Sequence, residues 1–150
     1  MAVGCRAPRS WSIRTVISGQ AAYQSANGGW YDGNLACLSI NGAGCIPSYP
    51  SNAPTFIDTT VAALANKSGY SRSFTPGVVP GNLNTNVSGT ASISSYVYSA
   101  TPVTAGQTGV RGFGGDASGV ICFNATGVYP AQTTPNIGLD PASPTCNILQ

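Results

Sequence analysis

Hydrophobic and polar positions along the chain alternate with two different periods. Between Ser10 and Ser25 (SWSIRTVISGQAAYQS), Ile13, Val16, Ile17, Gln20, Ala21 and Gln24 recur at i, i+3, i+4, i+7, i+8 and i+11. That spacing predicts an amphipathic helix whose apolar stripe thins toward its end. Pro8 precedes it, Ser10 and Ser12 are the candidate N-caps, and Asn27-Gly28-Gly29 supplies a C-terminal stop. The stretch from Trp30 to Pro54 holds three glycines, three prolines and two cysteines without periodicity, and reads as a long loop with a turn at Asn41-Gly42. A second helix is predicted from about Thr55 to Asn66, with Ile57, Val61 and Leu64 on its core face, Phe56 beside them and Gly69 past its end.

Beyond Gly69 the period changes to that of strands. Tyr70–Thr75, Ser92–Val103, Thr108–Phe113 and Val120–Asn124 read as strands, with Gly114 to Gly119 as a tight turn before the last of them. Residues 125–150 carry four prolines and little periodicity, and are expected as an extended tail. The predicted architecture is therefore α+β. An N-terminal amphipathic helix packs on a three- to four-stranded antiparallel sheet, with a second short helix and disulfide-stapled loops. The predicted organisation is a flexible leading segment at 1–9, one globular domain at 10–124 and the tail at 125–150.

Composition narrows the function. Charged residues make up 7% of the 150, against an ordinary ~25%, so solubility rests on Ser, Thr, Asn and Gly. A net charge of +2 without a basic stripe gives no support for nucleic-acid binding. There is no His and no Glu. A Ser or Cys nucleophile lacks its usual base, and the four Asp are scattered, so no enzyme is expected. No cofactor and no metal site are expected either, since the cysteines lack zinc-site spacing. Asp58 reads as an early-helix acid and Asp116 as a turn former, a thin basis for a calcium site. Asn66, Asn86 and Asn124 begin N-glycosylation patterns, a common coincidence in such a composition.

Five cysteines leave one over. Cys37, Cys45, Cys122 and Cys146 allow three pairings. Adjacent pairing is the economical expectation, and it implies an oxidising compartment. Cys5 stands apart. The first residues, MAVGCRAPR, show no apolar run and no cleavage pattern.

The words of the sequence, in this order, resemble a known family. SIRTVISGQAAYQSANGG in the helix, NKSGYSRSFTPG, and ISSYVYSATPVTAGQTGVRGFGGDASGVICFN are similar to the globular domains of type IV pilins and pseudopilins. The likeness spans residues 12–124 and is carried by Ser12–Tyr23, Lys67–Thr75, Tyr96–Phe113 and Asp116–Ile121. It implies a structural subunit of an extracellular or cell-surface filament, or of a secretion pseudopilus, assembled from the inner membrane by self-association. The family's hydrophobic helix half and its acidic residue have no counterpart here. The resemblance thus implies membrane contact only through a segment outside this sequence, or a separate short hydrophobic helix chain. It also places Cys122 with Cys146 where the family closes a C-terminal loop. Ile13, Val16, Ile17 and Ala21 are expected to face the sheet, and Trp11, Arg14 and Ser18 are candidates for an assembly face. The rival expectation is a secreted carbohydrate-binding or adhesive β-rich module, suggested by the Trp30-Tyr31 pair.

Overall fold

The computed structural model describes residues 3–40, 45–64, 66, 69–134 and 136–149, with the side chains of the first helix described from Ile13 onward. That helix, α1 (Val3–Ala26), begins well before the expected Ser10 and runs through Pro8. Proline inside a helix lacks the N–H for the bond to the residue four back, here Gly4, but so near the start few backbone bonds are lost. The far end is as read from sequence: Gly28 and Gly29 take φ of 68° and 98°, and the Gly29 N–H donates to the Gln24 carbonyl at 2.9 Å, closing the helix with a left-handed turn.

Nine short strands follow among the described residues. Tyr31–Asp32 (β1) pairs with Ser92–Ile93 (β3). A five-stranded antiparallel sheet has the order Tyr70–Pro76 (β2), Tyr96–Pro102 (β4), Gly112–Asp116 (β5), Ile121–Asn124 (β6) and Asn147–Ile148 (β9). Gln132–Thr133 (β7) and Gly138–Leu139 (β8) make a separate hairpin.

The sheet has a cover on each face. Opposed residues Tyr98, Gly115 and Ile121 lie on one face and join the main core with Ile13, Val16, Tyr23, Leu38, Ile57 and Val61. Their neighbours Val97 and Cys122 point the other way, into a second cluster with Leu139 and Cys146. β4 is accordingly buried on both sides along most of its length.

The sheet has five strands, not three or four, and the difference comes from the C-terminal segment expected as an extended tail. Its residues 146–149 run along β6, with Cys122 opposite Ile148 and the Leu149 N–H bonded to the Ile121 carbonyl at 2.7 Å. Its β7–β8 hairpin covers the second face through Leu139 and Ile137. The expected turn at Gly114–Gly119 is also different. Gly114, Gly115 and Asp116 belong to β5, and only Asp116 to Gly119 turn. A Cβ on Gly115 would sit 2.5 Å from Ile13 Cγ2 and 2.8 Å from Ile17 Cδ1, and one on Gly114 would press Leu139 Cδ2 at 3.1 Å. These glycines are strand residues because both covers touch the backbone itself.

The second helix, α2, shrinks to Thr59–Ala62, capped by Asp58, whose side chain accepts from the Val61 N–H. The Phe56 and Ile57 N–H groups both donate to the Leu38 carbonyl, which removes them from any helix. Leu64 takes a φ of 55° and ends it. Ile57 and Val61 are nevertheless buried and Phe56 and Leu64 pack against them, so the apolar spacing was right about burial and wrong about backbone. The predicted Asn41-Gly42 turn and Lys67-Ser68 lie outside the described residues.

Candidate functional site

The surface most able to do work is the outer side of α1. Its inner side follows Ile13, Val16, Gln20, Tyr23 and Asn27, all buried. Those positions step by three and four, which narrows the stripe to a seam. Ile17 lies half-buried at the edge of that seam. Ala21, expected on the sheet side, is exposed, because the seam turns away from it at Gln20. Arg14 and Ser18 are exposed on the outer side with Ala22 and Ser25. The side chain of Trp11, the third candidate for this face, lies outside the described residues.

Arg14 and Ser18 line a groove of about 590 Å³ between α1 and the 49–56 loop, whose far wall is Tyr49, Pro54 and Phe56. The wall is built from pinned parts. The Tyr49 hydroxyl donates to the Pro54 carbonyl at 3.0 Å, and the Tyr49 and Phe56 rings lie 5.6 Å apart. Phe56 meets Tyr23 edge-on at 5.4 Å. Gly19 lets the loop close on the helix, since a Cβ there would lie 2.5 Å from Ile57 Cγ2. Farther back, Cys37 and Cys45 are joined by a disulfide with Cα atoms 5.7 Å apart, and Cys122 and Cys146 by another at 4.9 Å. The adjacent pairing is the one present. The side chain of Cys5 is outside the described residues.

Buried polar groups hold the helix end to residues 30–32 and 88–92. The Gln20 side-chain amide binds Asp32 like a strand partner. It donates to the Asp32 carbonyl at 2.9 Å and accepts from the Asp32 N–H at 2.8 Å. Asn27 donates to the Trp30 carbonyl and Ser92 Oγ and accepts from the Gly89 N–H. The Ser88 hydroxyl donates to the Asn27 carbonyl. Two amide side chains therefore do the work of missing ladder bonds. Asp32 is fully buried beside them. Its Oδ1 accepts from the Asn34 N–H at 2.8 Å, whereas Oδ2 has no hydrogen-bond partner. Burial pushes its carboxyl up to about 7, against the opposing pull of the Asn34, Leu38 and Cys37 amides. Burial, and then the charge of Asp32, raise the Tyr23 phenol.

The remaining candidates have structural jobs. Asp116 accepts from the Ser118 N–H and hydroxyl through Oδ1 and from the Leu139 N–H through Oδ2. It thereby ties the β5–β6 turn to the second-face hairpin. Asn124 accepts from the Thr126 N–H and hydroxyl and is buried, whereas Asn66 and Asn86 are exposed. Tyr31 is half-buried, meeting Tyr96 edge-on at 5.2 Å and donating to the Ala117 carbonyl. Trp30 is likewise half-buried. Among the described residues no group of three or more His, Cys, Asp or Glu is placed to hold a metal ion, and no helix is long and apolar enough to cross a membrane. Gln20, Asn27 and Asp32 went unnoticed as a constellation in the sequence. Gln20 and Asn27 are polar residues at core positions of the helical period, which was the available signal, whereas Asp32 lies on β1 and offered none.

No protein-family model, no curated protein and no solved structure matches the chain.

Proposed function

We propose that the chain is the globular part of a structural subunit of an extracellular filament of the type IV pilus or secretion pseudopilus kind, working by self-association rather than by a reaction. One observation carries this reading. Over residues 13–26, α1 commits a narrow seam to the rest of the domain and leaves Arg14, Ser18, Ala21, Ala22 and Ser25 on an open face beside a groove. A helix needed only for its own domain usually buries a broader stripe. Three further features support the reading: the C-terminal segment locked to the sheet edge by Cys122–Cys146, the two-disulfide framework suited to an oxidising compartment, and the scarcity of charge, which limits repulsion between copies.

The test is immunogold electron microscopy of the producing cells with antibodies raised against this chain, before and after shear. The reading expects decorated filaments that shear off with the antigen. Antigen confined to a dispersed, monomeric fraction, with no decorated assembly in any preparation, overturns it.

A further inference from the structure

Asn27-Gly28 is a reactive dipeptide built into a fixed junction. In an unfolded chain, an asparagine followed by glycine loses its side-chain ammonia more readily than other asparagines. Glycine has no Cβ to hinder the approach of its own nitrogen to the asparagine amide carbon. Here the fold requires both residues. Gly28 takes a φ of 68°, and a Cβ on it would lie 2.5 Å from Ser88 Oγ. Position 27 needs a short side chain that donates and accepts at once. The Asn27 Nδ2 donates to the Trp30 carbonyl at 3.1 Å and to Ser92 Oγ at 2.8 Å, and its Oδ1 accepts from the Gly89 N–H at 2.8 Å.

The same contacts keep the pair from reacting. Reaction needs the Asn27 amide carbon to swing onto the Gly28 nitrogen, and three hydrogen bonds hold that amide on residues 30, 89 and 92. The Asn27 carbonyl is held as well, by the Ser88 hydroxyl at 2.8 Å. The residue is fully buried, away from the water that must complete the reaction. Nor does the product fit the place it would occupy. An aspartate presents an oxygen where Nδ2 stood. That oxygen faces the Trp30 carbonyl and a Ser92 hydroxyl whose hydrogen is already given to the Gly89 carbonyl at 2.6 Å. A buried carboxylate set against acceptors is costly.

We infer that Asn27 is a latent site of spontaneous deamidation, shielded while the end of α1 is docked on residues 88–92, and that its acidic product cannot restore that docking. The Gly28 nitrogen attacks Asn27 Cγ. A new C–N bond forms, the bond from Cγ to Nδ2 breaks, and the Gly28 N–H proton leaves with Nδ2 as ammonia. Water then opens the cyclic imide to aspartate or isoaspartate. No enzyme, metal or oxidant takes part. Isoaspartate also adds a methylene to the backbone immediately before the turn in which the Gly29 N–H caps the Gln24 carbonyl. The change is one-way, so it accumulates with each opening of this junction. The shielding belongs to the single chain and does not depend on self-association.

The experiment follows ammonia loss at Asn27 by peptide mass spectrometry, in the intact folded chain and in the same chain unfolded in urea. Fragment spectra separate Asn27 from Asn41-Gly42, the second such pair in the sequence. Conversion at Asn27 is expected to be about 100-fold slower in the folded chain, because reaction waits on local opening. A slowing above about 10-fold upholds the shielding, and a smaller one overturns it. Ser92→Ala removes one acceptor of Nδ2 and is expected to speed conversion about 10-fold in the folded chain, with the rate in urea unchanged. No acceleration in the folded chain, or an equal one in urea, overturns the part given to the Nδ2 bonds. Circular dichroism checks the fold, and the unsubstituted chain decides alone if Ser92→Ala unfolds. Asn27→Asp, the product made directly, is expected to lower the melting temperature by about 5 °C or more. Failure of that variant to fold is the extreme of the same result. An unchanged melting temperature shows that the acidic product docks as well as the amide, and overturns that half of the inference.

Discussion

Asp32 makes the stability of this chain depend on pH in an unusual direction. Its carboxyl is fully buried, with Oδ2 unpartnered, and titrates at about 7 in the fold against 3.8 for an ordinary Asp. Between those two values the folded chain holds a proton that the unfolded chain has released. Stability must then fall as pH rises through that window, with a slope near 1.4 kcal/mol per pH unit, and level off above about 7. The full separation corresponds to about 4 kcal/mol, a ceiling that water penetration around a buried ion lowers. The chain has no His and no Glu to titrate within this window. The assay is urea unfolding at pH 4.5, 5.5, 6.5, 7.5 and 8.5, followed by tryptophan fluorescence. The midpoint is expected to drop steadily to pH 7 and then hold. Asp32→Asn, which keeps the acceptor facing Asn34, is expected to flatten the profile over the same range while costing about 1–3 kcal/mol at low pH through its unpaired amide. A wild-type profile that is level or rises between pH 4.5 and 7 refutes the reasoning, since it would mean the carboxylate is solvated or paired.

Three other outcomes follow from the packing. Gly115→Val is expected to destabilise by about 2–3 kcal/mol, measured as a lowered melting temperature, because its side chain must displace Ile13 and Ile17 from the β5 backbone. Gln20→Ala is expected to cost about 3 kcal/mol by stranding the N–H and carbonyl of Asp32, whereas Ala21→Asp, one residue on and exposed, should stay within about 0.5 kcal/mol. Equal effects at the two positions would show that the helix is rotated. Replacing Cys122 and Cys146 together by Ser is expected to cost about 3 kcal/mol, from the entropy of a 24-residue separation. Hydrogen exchange should then quicken first at β9 and the β7–β8 hairpin.

Local chemistry alone was enough for some of this. The apolar spacing of Ile13 and Val16, the Gly28-Gly29 stop, the β2 and β4 strands and the burial of Ile57 and Val61 were all legible, because each depends on period or on a backbone preference within a few residues. The adjacent cysteine pairing was legible only as the economical choice among three. The exposure of Arg14 and Ser18 on the outer side of α1 was legible from helical phase, but the groove they line was not, because its other wall comes from more than thirty residues away in sequence.

What the chain's own order of residues determined, then, is the α+β class, the helix with its polar outer side, and the strands long enough to declare a period. Tertiary structure decided the rest. Gly114 and Gly115 look like a turn until Leu139 and Ile13 press on them from opposite sides. Residues 146–149 have no strand pattern of their own and become an edge strand because β6 offers open backbone bonds and Cys122 holds them there. Gln20 replaces Ala21 in the core because the Asp32 backbone needs a buried partner, and a side-chain amide can meet both of its bonds where a methyl group meets neither.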